Sequence, residues 1–186
     1  MRATKSEARP PAAADPVLAA VTRSGRVESW HRGSVAVMHE GELALCVGDP
    51  DRPVFARSAV KPLQALPFVE SGLAARLGVP AGELAVVCAS HDGTPAHTAA
   101  VQSMLARGGH DAARLGCGPH APFDKDSRLA LLRAGERPQR VHNNCSGKHA
   151  GFLLLAAACG DELPAYLDPE SAAQRAVAAA VAEMAG

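Results

Sequence analysis

The chain has 186 residues, with 19 basic and 19 acidic side chains and a formal net charge of zero. That balance excludes a chain-wide electrostatic reason to bind nucleic acid or an anionic membrane surface. At 47% hydrophobic and 20% charged the composition is that of a folded globular protein, and with 3% aromatics its core must be built from Ala, Val and Leu. The longest apolar run, Ala150 to Cys159, is far shorter than the ~20 residues that cross a bilayer, so no membrane association is expected.

Residues 1–15 mix Arg, Lys, Glu and Asp with prolines and alanines, which predicts a disordered tail. This stretch lacks the apolar core of a secretory signal, so a cytoplasmic location is expected. One folded domain is expected over 16–186. Val17–Thr22 and Val27–His31 flank Arg-Ser-Gly-Arg, and Ser34–Met38 and Leu43–Val47 flank His-Glu-Gly-Glu; both pairs predict hairpins, joined into an antiparallel meander. Turn residues 48–53 then lead to Ser58-Ala-Val-Lys61-Pro62. A helix is predicted to about Glu70, with Leu63, Leu66 and Val69 inward, because Pro62 is tolerated only in a first helical turn. Leu84–Cys88 reads as a buried strand ending at Ala89-Ser90-His91-Asp92-Gly93. Thr94 caps a helix beginning at Pro95, with Val101, Met104 and Leu105 on one face. Further helices are predicted over Asp126–Arg133 and about Gly147–Cys159. A last one has Asp168 as cap, Pro169 at its first position, and Ala173, Val177, Val181 and Met184 inward.

Five cysteines, at 46, 88, 117, 145 and 159, are odd in number and widely spaced, which predicts free thiols with one or two available as metal ligands. Of the 19 basic residues only four are lysines: 5, 61, 125 and 148. Arg does not deprotonate in a protein whereas Lys does, so a lysine kept in an Arg-biased chain is a candidate base or ligand. Lys5 in the tail and Lys125 between two aspartates read as ordinary surface lysines, which leaves Lys61 and Lys148.

Three segments carry chemistry. In Ser58-x-x-Lys61 the spacing puts both side chains on one helical face, so a neutral amine can take the serine proton as the hydroxyl attacks a carbonyl. Taken alone, this pattern more often marks a capping serine and a surface lysine. In Cys88-Ala-Ser90-His91-Asp92-Gly93 the serine can relay a proton and the histidine can act as a base, although Ser and Asp also satisfy turn amides. In His142-Asn143-Asn144-Cys145-Ser146-Gly147-Lys148-His149 paired amides suit a substrate amide or carboxylate, and Cys145 and the histidines have the softness for zinc, but the spacing fits no standard zinc finger.

Together these motifs, with Val27-Glu-Ser-Trp-His-Arg-Gly-Ser, Arg57-Ser58-Ala-Val-Lys61-Pro, Gly116-Cys-Gly-Pro-His120-Ala-Pro-Phe-Asp124 and Cys145-Ser-Gly-Lys148-His-Ala-Gly151, resemble the rhizobial-type L-asparaginase II family in order along the chain. The resemblance implies an α/β (α+β) fold, an antiparallel sheet packed with helices as in serine β-lactamases and glutaminases. It also implies hydrolysis of L-asparagine to aspartate and ammonia. Carried over, Ser58 is the nucleophile, Lys61 its base and Ser90 a second, proton-relaying serine, with Arg57, His91, Asp92, Asn143 and Asn144 binding substrate. Zinc held by Cys145 and Lys148 is implied as well, and no organic cofactor. The sequence departs from the family at Thr94, where a glutamate is expected. Family members are longer, so the domain is expected to be truncated on its C-terminal side, with a second cysteine ligand and a second lysine in the later portion. Truncated sheet edges favour pairing, which predicts a homo-oligomer, a dimer. Two competing readings are a catalytically silent fragment or assembly module completed by another chain, and a penicillin-binding or β-lactamase-type hydrolase. The latter wants Ser-x-Asn and Lys-Thr-Gly, and this chain contains neither string.

Overall fold

A computed structural model describes residues 15–163 and 165–185. The expected tail, 1–15, lies outside the described residues except for Asp15. The fold is α+β and divides into two units, one ending at Phe55 and the other beginning at Ala56.

The first unit holds four strands, β1 (Val17–Arg23), β2 (Arg26–Arg32), β3 (Val35–His39) and β4 (Glu42–Val47). Each hairpin reverses through two residues with positive φ, Ser24-Gly25 and Glu40-Gly41. This is the twist that matches right-handed strands, and glycine at the second position accepts it without a Cβ penalty. The meander expectation fails at its middle. β1 pairs with β2 and β3 with β4, but β2 and β3 do not pair, leaving two separate two-stranded ribbons. The two linking residues are tied elsewhere: Gly33 N–H donates to Pro16 O at 3.3 Å, and Ser34 Oγ accepts from Asp49 N–H at 3.0 Å and donates to the Asp15 carboxylate at 3.3 Å. Arg52 also binds the Asp15 carboxylate, and this hydrogen bond, foremost, holds that acid below its ordinary pKa.

The second unit is helical: α1 (Lys61–Glu70), α2 (Leu73–Arg76), α3 (Ala81–Cys88), α4 (Pro95–Arg107), α5 (Lys125–Ala134), α6 (Ser146–Cys159) and α7 (Ala172–Ala185). Among the described residues no helix is long and apolar enough to cross a membrane. α6 is the hub, packed against α1, α3, α4 and α7. Ten of its residues, Ser146, Gly147 and His149 to Ala156, are buried, and a helix apolar on nearly every side can be stable in water only when surrounded. Around it Val101, Met104 and Leu105 of α4 form the buried face read from the sequence, with Phe68 of α1 and Tyr166 completing the core. Thr94 caps α4 as expected.

Three expectations give way. Residues 84–88 are helical, not extended: Pro80 is extended and its carbonyl accepts from Glu83 and Leu84 N–H at 3.0 Å each, opening α3. The adjacent Val86 and Val87 invite a strand reading by propensity, but both are buried against α6, and tertiary packing overrides a weak local preference. On α1 the inward residues are Lys61, Ala65 and Phe68, while Val69 is exposed. The true stripe contains a lysine, which an apolar search passes over. α7 begins at Ala172, and its N-terminal amides are held by Asp161, whose carboxylate accepts from Ala172 N–H at 2.9 Å and Ala173 N–H at 3.0 Å. Asp168 instead caps a local turn through Glu170 N–H, and Met184 is exposed.

The α3–α6 contact is close enough to forbid side chains. A Cβ on Gly147 would lie 2.1 Å from Val86 O and 2.5 Å from Val86 C, and one on Gly151 would lie 2.8 Å from a Val87 methyl. Gly147→Ala is therefore expected to destabilise the protein by about 3 kcal/mol or more, since backbone must move. Gly82→Ala, on the open side of α3 with nothing within 4 Å, should stabilise by about 0.5–1 kcal/mol. Urea unfolding of the two variants beside wild type checks the contrast.

Candidate active site

Lys61 is the first residue of α1, preceded by a 3₁₀ turn over Arg57–Val60. Its side chain is only 4% exposed. Nζ lies 2.7 Å from Ser90 Oγ and donates to Ala89 O at 3.1 Å. Among the described residues no carboxylate pairs with it. Burial is the main cause that lowers its pKa below the ordinary lysine value; Cys145 opposes that shift and the Lys148 charge adds to it. A lysine without a counter-ion, desolvated and bonded to a serine, is prepared to exist as the neutral amine.

Ser58 sits in the 3₁₀ turn, exposed, and its carbonyl accepts from Lys61 N–H. Arg57 before it has φ +49°, a left-handed conformation that costs a non-glycine residue on the order of 1 kcal/mol or more. Arg57, Ser58, Lys61, Gln64, Asn144, Cys145 and Lys148 line one cavity of about 410 Å³. The structure thus gathers Ser58, Lys61, Arg57, Asn144, Cys145 and Lys148 around one space, with Ser90 joined to it through Lys61.

His91, Asp92 and Asn143 are not brought to that cavity. His91 is 4% exposed and its two ring nitrogens meet Gly93 N–H at 3.1 Å and Ser146 Oγ at 2.9 Å. Asp92 is exposed, and its carbonyl accepts from Asp124 N–H at 3.0 Å. Asn143 shapes the loop before α6: its amide donates to Gly118 O at 2.9 Å, and its Oδ1 accepts from both the Cys145 N–H and the Cys145 thiol at 3.0 Å. Sequence reasoning passed over Gln64 and Ser146. Gln64 could have been found, since it stands three residues after Lys61 and shares its helical face; the Ser146 role depends on a contact 55 residues away in sequence.

All five cysteines are free thiols. Cys145 and Lys148 border the cavity together, with Lys148 Nζ 5.3 Å from the Phe152 ring centre. They supply two donors, whereas a zinc site ordinarily takes at least three protein ligands. Among the described residues no three His, Cys, Asp or Glu side chains cluster to complete one. These donors by themselves do not fit a zinc ion.

The L-asparaginase II family profile matches residues 19–186, most of the chain. The chain belongs to the L-asparaginase II family. A comparison with curated proteins finds no significant match. Of the motifs that suggested the family, Arg57-Ser58-Ala-Val-Lys61 and Asn144-Cys145-Ser-Gly-Lys148 contribute residues to the Lys61 cavity, and the hydrolase class follows from the family.

Two buried histidines of this asparaginase-family chain make its stability sensitive to acid. Burial is the foremost cause that lowers both His91 and His149 to about 4 from an ordinary value of 6.5. A base whose folded pKa is depressed favours unfolding once the unfolded chain takes up the proton. Stability is full above about pH 6.5 and falls as pH drops toward 4, by on the order of 3 kcal/mol per histidine. Urea midpoints measured from pH 7 to pH 4.5 should decline through this window; a flat profile would contradict the neutral buried rings.

Proposed function

We propose that the chain is an L-asparaginase-type amidohydrolase acting through Ser58 and Lys61. The observation that carries this reading is the buried Lys61 amine, 2.7 Å from Ser90 Oγ, on the wall of a cavity that Ser58 also lines. Neutral Lys61 takes the Ser58 hydroxyl proton as Oγ attacks the side-chain amide carbon of asparagine. Backbone N–H groups at the cavity wall stabilise the oxyanion. As the tetrahedral intermediate collapses, the proton on Lys61 passes through Ser90 to the leaving nitrogen, and ammonia departs. Water then adds to the aspartyl ester with Lys61 again as base, and aspartate leaves with Ser58 restored.

The cavity's other groups suit the rest of the substrate. Arg57 offers a planar, permanently charged partner for the α-carboxylate, and the amides of Gln64 and Asn144 provide paired donors and acceptors for polar heads.

Ammonia release from L-asparagine by the purified 186-residue chain tests the reading. Ser58→Ala is expected to cut kcat about a thousandfold or more with the circular dichroism spectrum preserved. Near-normal hydrolysis by that folded variant would overturn the assignment, and no release by wild type would favour the silent-module reading. Because the working form of Lys61 is the free amine, kcat/KM should rise with pH through a value below the ordinary lysine pKa of 10.5. Lys61→Arg, which keeps the charge but cannot deprotonate, should abolish the activity.

A further inference from the structure

We propose that His91 is a positioning residue: as the tautomer protonated on Nε2, it clamps the turn carrying Ser90 to the start of α6 and so keeps Ser90 on Lys61. The tautomer follows from its neighbours. Gly93 N–H can only donate, so Nδ1, 3.1 Å away, must accept and carries no proton. The ring proton therefore sits on Nε2 and is donated to Ser146 Oγ at 2.9 Å. Ser146 passes its own proton on, to Val141 O at 2.9 Å. Every donor and acceptor in this chain is used once. Either a charged ring or the other tautomer would set two donors facing at Gly93.

The same segments are joined by main chain, His91 N–H donating to Asn144 O at 3.0 Å. Ser90 immediately precedes the clamped ring, and Asn144 lies two residues before Ser146. The clamp thus sets the proton-relay serine and a cavity-lining amide from one anchor. Gly93 leaves the anchor little slack: a Cβ there would stand 2.9 Å from His142 O and 3.2 Å from Pro122. His97 closes the remaining side, its ring centre 5.1 Å from that of His91. The surroundings keep the ring neutral: burial first, then His97, Lys61 and His142 disfavour its charge, with Asp92 alone opposing. This assigns His91 to organising the site rather than touching substrate, the role its motif implied.

The kinetic part of the test rests on the amidohydrolase reading; the spectroscopic part does not. His91→Asn keeps an acceptor for Gly93 but falls short of Ser146, and His91→Gln keeps a donor at the Nε2 position. With L-asparagine, His91→Asn and Ser146→Ala should each lower kcat about tenfold with KM changed less than about twofold. His91→Gln should lose less than His91→Asn, and the double variant His91→Asn/Ser146→Ala should be no worse than the poorer single. In parallel, ¹⁵N NMR of the wild-type imidazole at pH 7 should show a bare Nδ1 and a protonated Nε2. Amide hydrogen exchange at His91 and Gly93 should speed up about tenfold in Ser146→Ala. The opposite tautomer, a charged ring, or unchanged exchange would overturn the clamp, as would a raised KM at constant kcat in His91→Asn. If wild type releases no ammonia, the amidohydrolase reading fails and the NMR and exchange results alone decide the clamp.

Discussion

The distance between α3 and α6 governs everything else in the helical unit. Hydrogen atoms at Gly147 and Gly151 let the α6 backbone lie directly against Val86 and Val87. Because α3 ends at Cys88, that separation decides where Ala89 and Ser90 stand relative to Cys145 and Lys148. Lys61 then reaches across from α1 to bond the same two residues. A side chain at either glycine would move the serine turn away from the lysine, so packing and chemistry share one geometric condition. Close packing is what makes this condition sharp: an interior filled like a crystal transmits a displacement instead of absorbing it.

The energetic logic of the site is the reverse of that in the core. The core gains by removing Phe68, Met104, Leu105 and Leu153 from water. Lys61 is carried into the same interior without a carboxylate, where only a serine and a carbonyl meet it, and desolvation weakens its hold on a proton. The strained φ of Arg57, one residue before Ser58, is a second place where local preference yields. Both departures lie on one cavity, while Thr94 and Asp124 cap their helices in the ordinary way.

Much of the fold was legible from local chemistry. Ser24-Gly25 and Glu40-Gly41 marked both hairpins, Thr94-Pro95 the start of α4, and the polar cluster ahead of an apolar run the start of α6. Two features of the fold were hidden. Val86-Val87 has strand propensity, and only the facing glycines make it a helix partner. The first amides of α7 are held by Asp161, across a loop, and Ser171 caps the helix through Gln174 N–H at 3.2 Å, where Asp168 is the choice local pattern suggests. The site divided along the same line. Ser58, Lys61, Asn144, Cys145 and Lys148 share a cavity because their motifs sit at helix starts, which sequence can place. His91 and Asn143 look like ligands by residue type, yet their polar atoms are committed to protein partners that no pattern along the chain reveals.

The two units differ in what holds them. In the strand unit, Asp15 and Arg52 meet across 37 residues of sequence, both partly open to water, so an ion pair closes a long loop. Such a pair is screened as ionic strength rises, and the closure it provides weakens with added salt. The contacts around α6 are mostly apolar, and salt acts on these far less. The strand unit thus closes through an ion pair, whereas the helical unit rests mainly on the apolar packing around α6 beside one ion pair, Arg107 with Glu83 at 3.1 Å, and the Lys61 cavity lies wholly among residues of the helical unit.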